Sequence, residues 1–313
     1  MIRETRIEVR LLWRGYVLPI MLIITALLAI ANVVNSAQSV RADYSLLQHT
    51  KAQYAQNGMD FDADLARPAK VTSNGADETI TNLARYDYDT FATAAAAVAI
   101  APGSSVQETL KYFGFLVFPV LFFLVGLWLA TGQRRYRLEK VTLVREGTAR
   151  TIASRQLALI VAAAAIIVVT LLVDVASRAI AAAVLRADLP LSAYPPLTPA
   201  PEQNLAAQWG VMLLVTLFFG GGGIAIGAIA GVFAIPAIVF LAWDFVVPIA
   251  AQHDPRNWFA VLGHAVFQYS GAFELADAIP LAVPIAASAA IGSTAILIAL
   301  GYVGIRLRNP RAS

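Results

Sequence analysis

Cysteine is absent from all 313 residues, which excludes a disulfide framework and any thiolate metal site. Charge is scarce as well: 14% of residues are Asp, Glu, Lys or Arg, against roughly a quarter in an ordinary soluble domain. Histidine is limited to His49, His253 and His264. These form no i, i+4 pair and no His-Glu-x-x-His run, so metal catalysis has no support. The phosphate-binding pattern Gly-x4-Gly-Lys-Ser/Thr is missing, and the glycine run Gly220 to Gly223 has no lysine after it. ATP binding by a P-loop is therefore excluded. A Gly-x-Ser-x-Gly nucleophile elbow is missing too.

What the chain has in excess is apolar sequence. Hydrophobic residues make up 58% of it, the mean hydropathy is +0.67, and the apolar residues fall in long uncharged runs. A helix crossing a hydrocarbon core of about 30 Å needs about 20 such residues. Tyr16 to Val34, Tyr112 to Ala130, Leu157 to about Val184 and Leu281 to Ile305 each qualify. Trp209 to Ala250 is long enough for two helices, with a break among Gly220 to Gly223, Gly231 and Pro236 and the later helix starting near Pro236. The first run exceeds the apolar core of a signal peptide, so an uncleaved first span is expected.

The distribution of charge orients these spans. Arg3, Arg6, Arg10 and Arg14, then Arg134, Arg135, Arg137, Lys140, Arg145, Arg150 and Arg155, then Arg306, Arg308 and Arg311 lie in three segments that hold only four acids. By the positive-inside rule these segments are cytoplasmic. Ser36 to Glu108 reverses the balance, with five basic residues against nine acids, and belongs outside. Six spans put both termini in the cytoplasm. The apolar stretch Trp258 to Ile279 is then a non-crossing, re-entrant or interfacial element, in keeping with Gly263, His264, Gly271, Glu274 and Asp277.

The expected fold is thus an all-α membrane protein with six transmembrane helices. It divides into an amphipathic cytoplasmic interfacial helix (1–15), a first span (16–35), an external helical segment (36–111), a second span (112–131), a cytoplasmic loop (132–156), and a remainder (157–313) holding four spans, the re-entrant element and the tail. Within the external segment, Val40, Tyr44, Leu47, Lys51 and Tyr54 fall at helical spacing, as do Ile80, Leu83, Asp87, Phe91, Ala94 and Val98. Two amphipathic helices joined by the polar stretch Asn57 to Asp77 are expected, packed on each other or on the span ends. The Pro-rich connector Pro190 to Pro201 is also expected outside.

A few residues inside the membrane invite a role. Asp174 and Arg178, four apart, can pair on one helix face, either as a structural pair or as part of a pathway. Asp244 has no partner on its own helix, which makes it the best single candidate for a substrate-pathway or interhelical contact; a wet carboxylate near the membrane surface is the alternative. Gly223, Gly227 and Gly231 repeat every four residues and offer close-packing sites on one face. The adjacent glycines should also weaken or kink their helix, and a hinge there is a further expectation.

The loop Gln133 to Gln156, with Glu139, Arg145, Glu146, Gly147, Thr148, Ser154 and Arg155, resembles the cytoplasmic loop of ABC-2 type exporter permeases. There an acidic stretch, a Glu-Gly-Thr element, a short helix and a Ser-Arg pair precede the third span. The resemblance extends to the six spans, the cytoplasmic termini, the basic interfacial helix and the re-entrant element. It implies that the loop docks in a groove of a separate ATPase, two copies of which bind ATP and Mg and drive the permease between inward- and outward-facing states. This chain would hold no cofactor of its own. It would work beside a second permease, as a homodimer or heterodimer, in the bilayer and without nucleic acid. On this view the short helix has Glu146 near its start and Arg150 and Arg155 toward its end, a charge order that suits the helix dipole. Three other classes compete. An intramembrane enzyme would need paired polar catalytic residues at depth, and none are visible. A secondary transporter would favour inverted repeats and more buried charge. A non-transporting ABC complex would relay force to an external partner through Ser36 to Glu108.

Overall fold

A computed structural model of the chain describes residues 1–74, 77–99, 102–135, 139–195, 204–249, 251–267, 275 and 277–308. Helix α1 (Ile2–Arg14) alternates charged and apolar residues, buries Leu12 and Glu8, and leaves Ile2 and Trp13 exposed. An elbow at Gly15 and Tyr16 follows, with Tyr16 at φ +61°, a left-handed conformation that a bulky residue rarely adopts. The elbow packs against Trp128, whose ring would stand 2.5 Å from a Cβ at Gly15.

Helix α2 (Val17–Gln56) is one rod of 40 residues, about 60 Å long at 1.5 Å per residue. Where a span and a separate external helix were expected, no helix breaker stands between them, and the rod passes through the apolar layer and out of it. Beyond it lie α3 (Phe61–Leu65), a two-stranded antiparallel hairpin of β1 (Val71–Asn74) and β2 (Asp77–Ile80) in register Val71 with Ile80, and α4 (Leu83–Ala99). Val40 and Leu47 of α2 meet Phe61, Tyr88, Phe91 and Val98 in a small core of their own, so the two amphipathic stripes pack on each other. Buried Asp87 of α4 accepts a hydrogen bond from Thr50 of α2 at 2.5 Å.

The second apolar segment is bent. Helix α5 (Pro102–Leu116) and helix α6 (Phe118–Arg135) meet at 59°, because Pro119 has no N–H to give to the carbonyl one turn back. After the short α7 (Glu139–Glu146) comes α8 (Thr148–Asp188), another continuous rod of 41 residues. Its far end adds Leu185 to the core under α4, and Asp188 pairs with Arg41 of α2 at 2.7 Å. Two long rods therefore carry the cap.

Helix α9 (Leu205–Val215) continues through a π-helical turn, Thr216–Gly220, into α10 (Gly221–Ala230). The π turn abuts the glycine run, where the backbone is least constrained. Gly231, at φ +74°, ends α10. Then come α11 (Ala234–Phe245), α12 (Pro255–Val266) and α13 (Val283–Arg308). Arg308 donates to the Ala230 carbonyl at 3.0 Å, so α10 and α13 end together at the end of the bundle that carries α1 and the arginine-rich segments, the basic end.

The chain is a multi-pass helical membrane protein. Among the described residues four helical stretches, Val17–Gln56, Thr148–Asp188, Leu205–Ala230 and Val283–Arg308, are long and apolar enough to cross a bilayer; the bent pair α5–α6 is either a fifth, broken span or a re-entrant loop. The helix expected to start near Pro236 has only 12 residues, about 18 Å against a core of about 30 Å. It stops at Phe245, ahead of Pro248. Beyond it, Asp254 caps α12 by accepting from the Arg256 amide at 2.9 Å, with Pro255 in the first turn. Asn257 of α12 exchanges two hydrogen bonds with the backbone of Ile279, at 3.2 and 2.7 Å, which folds the returning chain back on α12. Within the expected element Trp258 to Ile279, residues 268–274 and 276 lie outside the described residues, as do Pro196 to Pro201 of the Pro-rich connector and Arg311 of the tail.

Candidate functional site

The basic end holds a buried polar junction of three helices. Glu8 stands one turn before Leu12 on the inward face of α1, Gln133 is in the last turns of α6, and Arg155 is two turns into α8; all three are buried. The Gln133 amide donates to Glu8 Oε1 at 2.5 Å, and Arg155 Nη2 donates to Gln133 Oε1 at 3.5 Å. Arg155 Nε lies 3.7 Å from Glu8 Oε1. An opposite charge in low dielectric and a bridging amide are what such burial requires. The junction ties together α1 and the two helices between which the loop at 136–147 hangs.

The expected loop residues distribute around it. Gly147, at φ +76°, breaks the helical ladder between α7 and α8, a conformation glycine adopts without strain. The short helix therefore ends at Glu146, where it was expected to begin. Arg150 and Arg155, expected on its last turns, belong to α8. Helix α7 packs inward through fully buried Leu143 and presents Val144, 76% exposed, and Arg145 to the surroundings. Glu139 and Glu146 bound α7; their side chains lie outside what the structure describes. Thr148 and Ser154 are buried, and the Ser154 hydroxyl donates to the Thr151 carbonyl at 2.9 Å. Ser154 and Arg155 thus face the bundle interior, while Val144 and Arg145 face out.

Deeper in the bundle, glycines let α10 press on α6. A Cβ at Gly223 would overlap the Phe123 carbonyl and stand 2.8 Å from the Leu127 nitrogen; one at Gly227 would stand 2.7 Å from the Ala130 Cβ. Gly126 of α6 faces Gly220 in the same way, with the Gly220 carbonyl carbon 2.8 Å from a Cβ there. Gly223 and Gly227 are contact points of two backbones. Gly231 is not a third: it terminates α10, its N–H donating to the Gly227 carbonyl at 2.9 Å. Gly221 and Gly222 have room, with neighbours no closer than 3.6 Å.

Asp174 and Arg178 pair on α8 at 2.6 Å, both buried, and the Thr109 hydroxyl of α5 donates to Asp174 at 2.7 Å. The pair satisfies itself and ties α5 to α8. Asp244 lies in the last turn of α11. The orphan carbonyls of that helix end are gathered by Arg256 of α12, which donates to the carbonyls of Trp243 at 2.7 Å, Asp244 at 3.3 Å, Val247 at 2.6 Å and Pro248 at 3.4 Å. The same guanidinium pairs with Asp254 at 2.6 Å and stacks 4.5 Å over the Trp243 ring. The Asp244 carboxylate has no hydrogen bond or ion pair among the described residues.

Glu8, Gln133, Thr109 and Arg256 were not singled out from sequence. For Arg256 a signal existed: Asp254-Pro255 is a helix start, and an arginine next to it must find acceptors. For Glu8 the only hint was its place one turn from Leu12. Among the described residues no cluster of three or more His, Cys, Asp or Glu could hold a metal ion. The chain matches no family model, no curated protein and no solved structure.

Proposed function

We infer that this chain is the membrane-spanning subunit of an ATP-driven exporter of the ABC-2 type, powered by a separate ATPase that docks at the basic end. The single observation that carries this reading is the Glu8–Gln133–Arg155 junction. A push on the loop between α6 and α8 cannot move one of those helices alone, because a buried ion pair and its bridging amide clamp both to α1. Val144 and Arg145, exposed on α7 just before α8, offer a surface to a soluble partner next to the helix that carries Arg155.

In this reading the basic end is cytoplasmic, both termini lie there, and the membrane is the cytoplasmic one. The crossings number six, the fifth being discontinuous: α11 enters from the basic end, and α12 carries the chain onward after the break. Broken backbone at that depth is tolerated because Arg256 satisfies it. ATP and Mg belong to two copies of the partner ATPase, and a second permease, identical or homologous, completes the pathway.

A second reading is supported by a different observation. Helices α2 and α8 run unbroken from the basic end into the cap, and Val40, Leu47 and Leu185 join them in its core. Such rods would carry force from the ATPase to an external partner without transport. Removing residues 57–82 while keeping α2 and α4 separates the two: in an exporter with an accessory cap export continues, whereas a force relay shows no export even in the wild-type complex and loses its effect on the external partner.

The test of the main reading exploits the natural lack of cysteine. A single cysteine at Val144 should react with an impermeant maleimide only from the cytosolic side and should crosslink to a co-purifying ATPase. Labelling solely from outside would end the assignment.

A further inference from the structure

We propose that the break between α11 and α12 is a binding site for a monovalent organic cation with an apolar body, resting on the exporter reading and naming its class of substrate. Two cavities adjoin here. One, of about 290 Å³, is walled by Phe123, Phe218, Phe219, Phe240 and Trp243 with Gly222 at its back. The other, of about 250 Å³, is lined by Leu116, Val215, Phe259 and Ala260 together with Asp244 and Arg256. They share the Phe219 ring and meet where Trp243 is followed by Asp244 and Pro255 by Arg256. Together they have the size of a pocket for a drug-sized ligand, mostly apolar with a few placed polar groups.

Their depth follows from the packing. Phe240 stacks on Phe123 of α6 at 3.9 Å, and Val215 and Phe219, which line the second cavity, sit near the middle of the span Leu205–Ala230. Asp244, one turn beyond Phe240, therefore lies against apolar side chains of that span and of α6. A carboxylate in such a setting is costly unless it meets an opposite charge.

Charge selects the ligand. The Arg256 guanidinium is spent on the Asp254 carboxylate and on four backbone carbonyls, so that ion pair is neutral and Asp244 leaves one net negative charge. Asp244 lines the second cavity and makes no hydrogen bond or ion pair among the described residues, the nearby Arg256 charge being shared with Asp254. The aromatic walls of the first cavity add ring faces, which attract a cation as well as apolar surface. One positive charge at Asp244 with the apolar body against Phe219, Phe240 and Trp243 satisfies both.

Tetraphenylphosphonium and its isosteric anion tetraphenylborate test this. Radiolabelled tetraphenylphosphonium should bind the full chain in nanodiscs saturably, and unlabelled cation should displace it at least about tenfold better than the anion, the ratio set by one strong charge contact. Asp244→Asn should weaken cation binding about tenfold and abolish the preference over the anion, whereas Asp244→Glu keeps it. Non-saturable binding, equal displacement by both ions, or unchanged affinity in Asp244→Asn would overturn the proposal. The wild-type comparison decides by itself should the variant fail to fold. Since no ATPase is present in this assay, a negative result leaves the coupling reading standing, and a missing ATPase leaves this site standing.

Discussion

Arg155 of α8 and Glu8 of α1 face each other at 3.7 Å inside the bundle, both shut off from solvent and bridged by Gln133. Burying two charges costs several kcal/mol each, and the pair is stable only while both remain. Arg155→Ala, which removes the guanidinium facing the Glu8 carboxylate, should cost about 3–5 kcal/mol. Replacing both, with Glu8→Leu and Arg155→Met, should restore most of the stability. Thermal unfolding in detergent reads the first effect, and ATP turnover by the reconstituted complex reads the second. The double variant should melt like wild type yet lose coupling, and retention of full coupling would show the clamp to be structural only.

Charge reversal on the exposed face of α7 probes the proposed docking surface. Arg145→Glu should separate ATP hydrolysis from export in protein that still purifies as a monodisperse species. Unaltered coupled turnover in that variant would move the docking surface elsewhere.

The glycines divide into two classes by the space behind them. Gly223→Ala should destabilise by about 1–3 kcal/mol, the cost of overpacking, because its Cβ meets the α6 backbone. Gly221→Ala with Gly222→Ala should fold as well as wild type or better, gaining about 0.5–1 kcal/mol per site from reduced chain entropy. Transport by the Gly221→Ala, Gly222→Ala pair separates a hinge from filler: a drop with normal expression supports bending next to the π turn, and full transport removes the hinge.

The buried ion pair of Asp174 and Arg178 predicts a contribution to stability. Arg178→Ala should lower it by about 3–5 kcal/mol. Thr109→Val should cost about 1–3 kcal/mol, since a charged acceptor loses its donor. Export per folded molecule should stay near wild type in Thr109→Val, measured as flux normalised to monodisperse protein; a specific loss of flux would return the pair to the pathway.

Arg256 holds two helix ends at once. Arg256→Lys keeps the charge but loses the planar fork that reaches several acceptors, so the turn after α11 should loosen. Amide exchange at Val246 and Val247 should rise while the α6 and α10 amides stay protected. Equal protection in both proteins would mean that other groups hold the break.

The sequence alone determined the class of the molecule. Missing cysteine, scarce charge and long apolar runs dictate helices in a bilayer, since a backbone in lipid must bond to itself. Arginine clusters pick out one end, and the external stripes foretell a small cap. All of these are one-dimensional signals, sums or periodicities along the chain. Tertiary structure decided the rest. That α2 runs 40 residues unbroken, that α11 stops after 12, and that Gly147 rather than Glu146 marks the start of a helix depends on single backbone positions whose alternatives differ little in local propensity. The partners of buried polar groups are less legible still. Glu8 and Arg155 stand 147 positions apart in the chain, and nothing in their neighbours names one to the other; only the packing of α1 against α8 brings the charges within reach, and only burial makes their meeting obligatory.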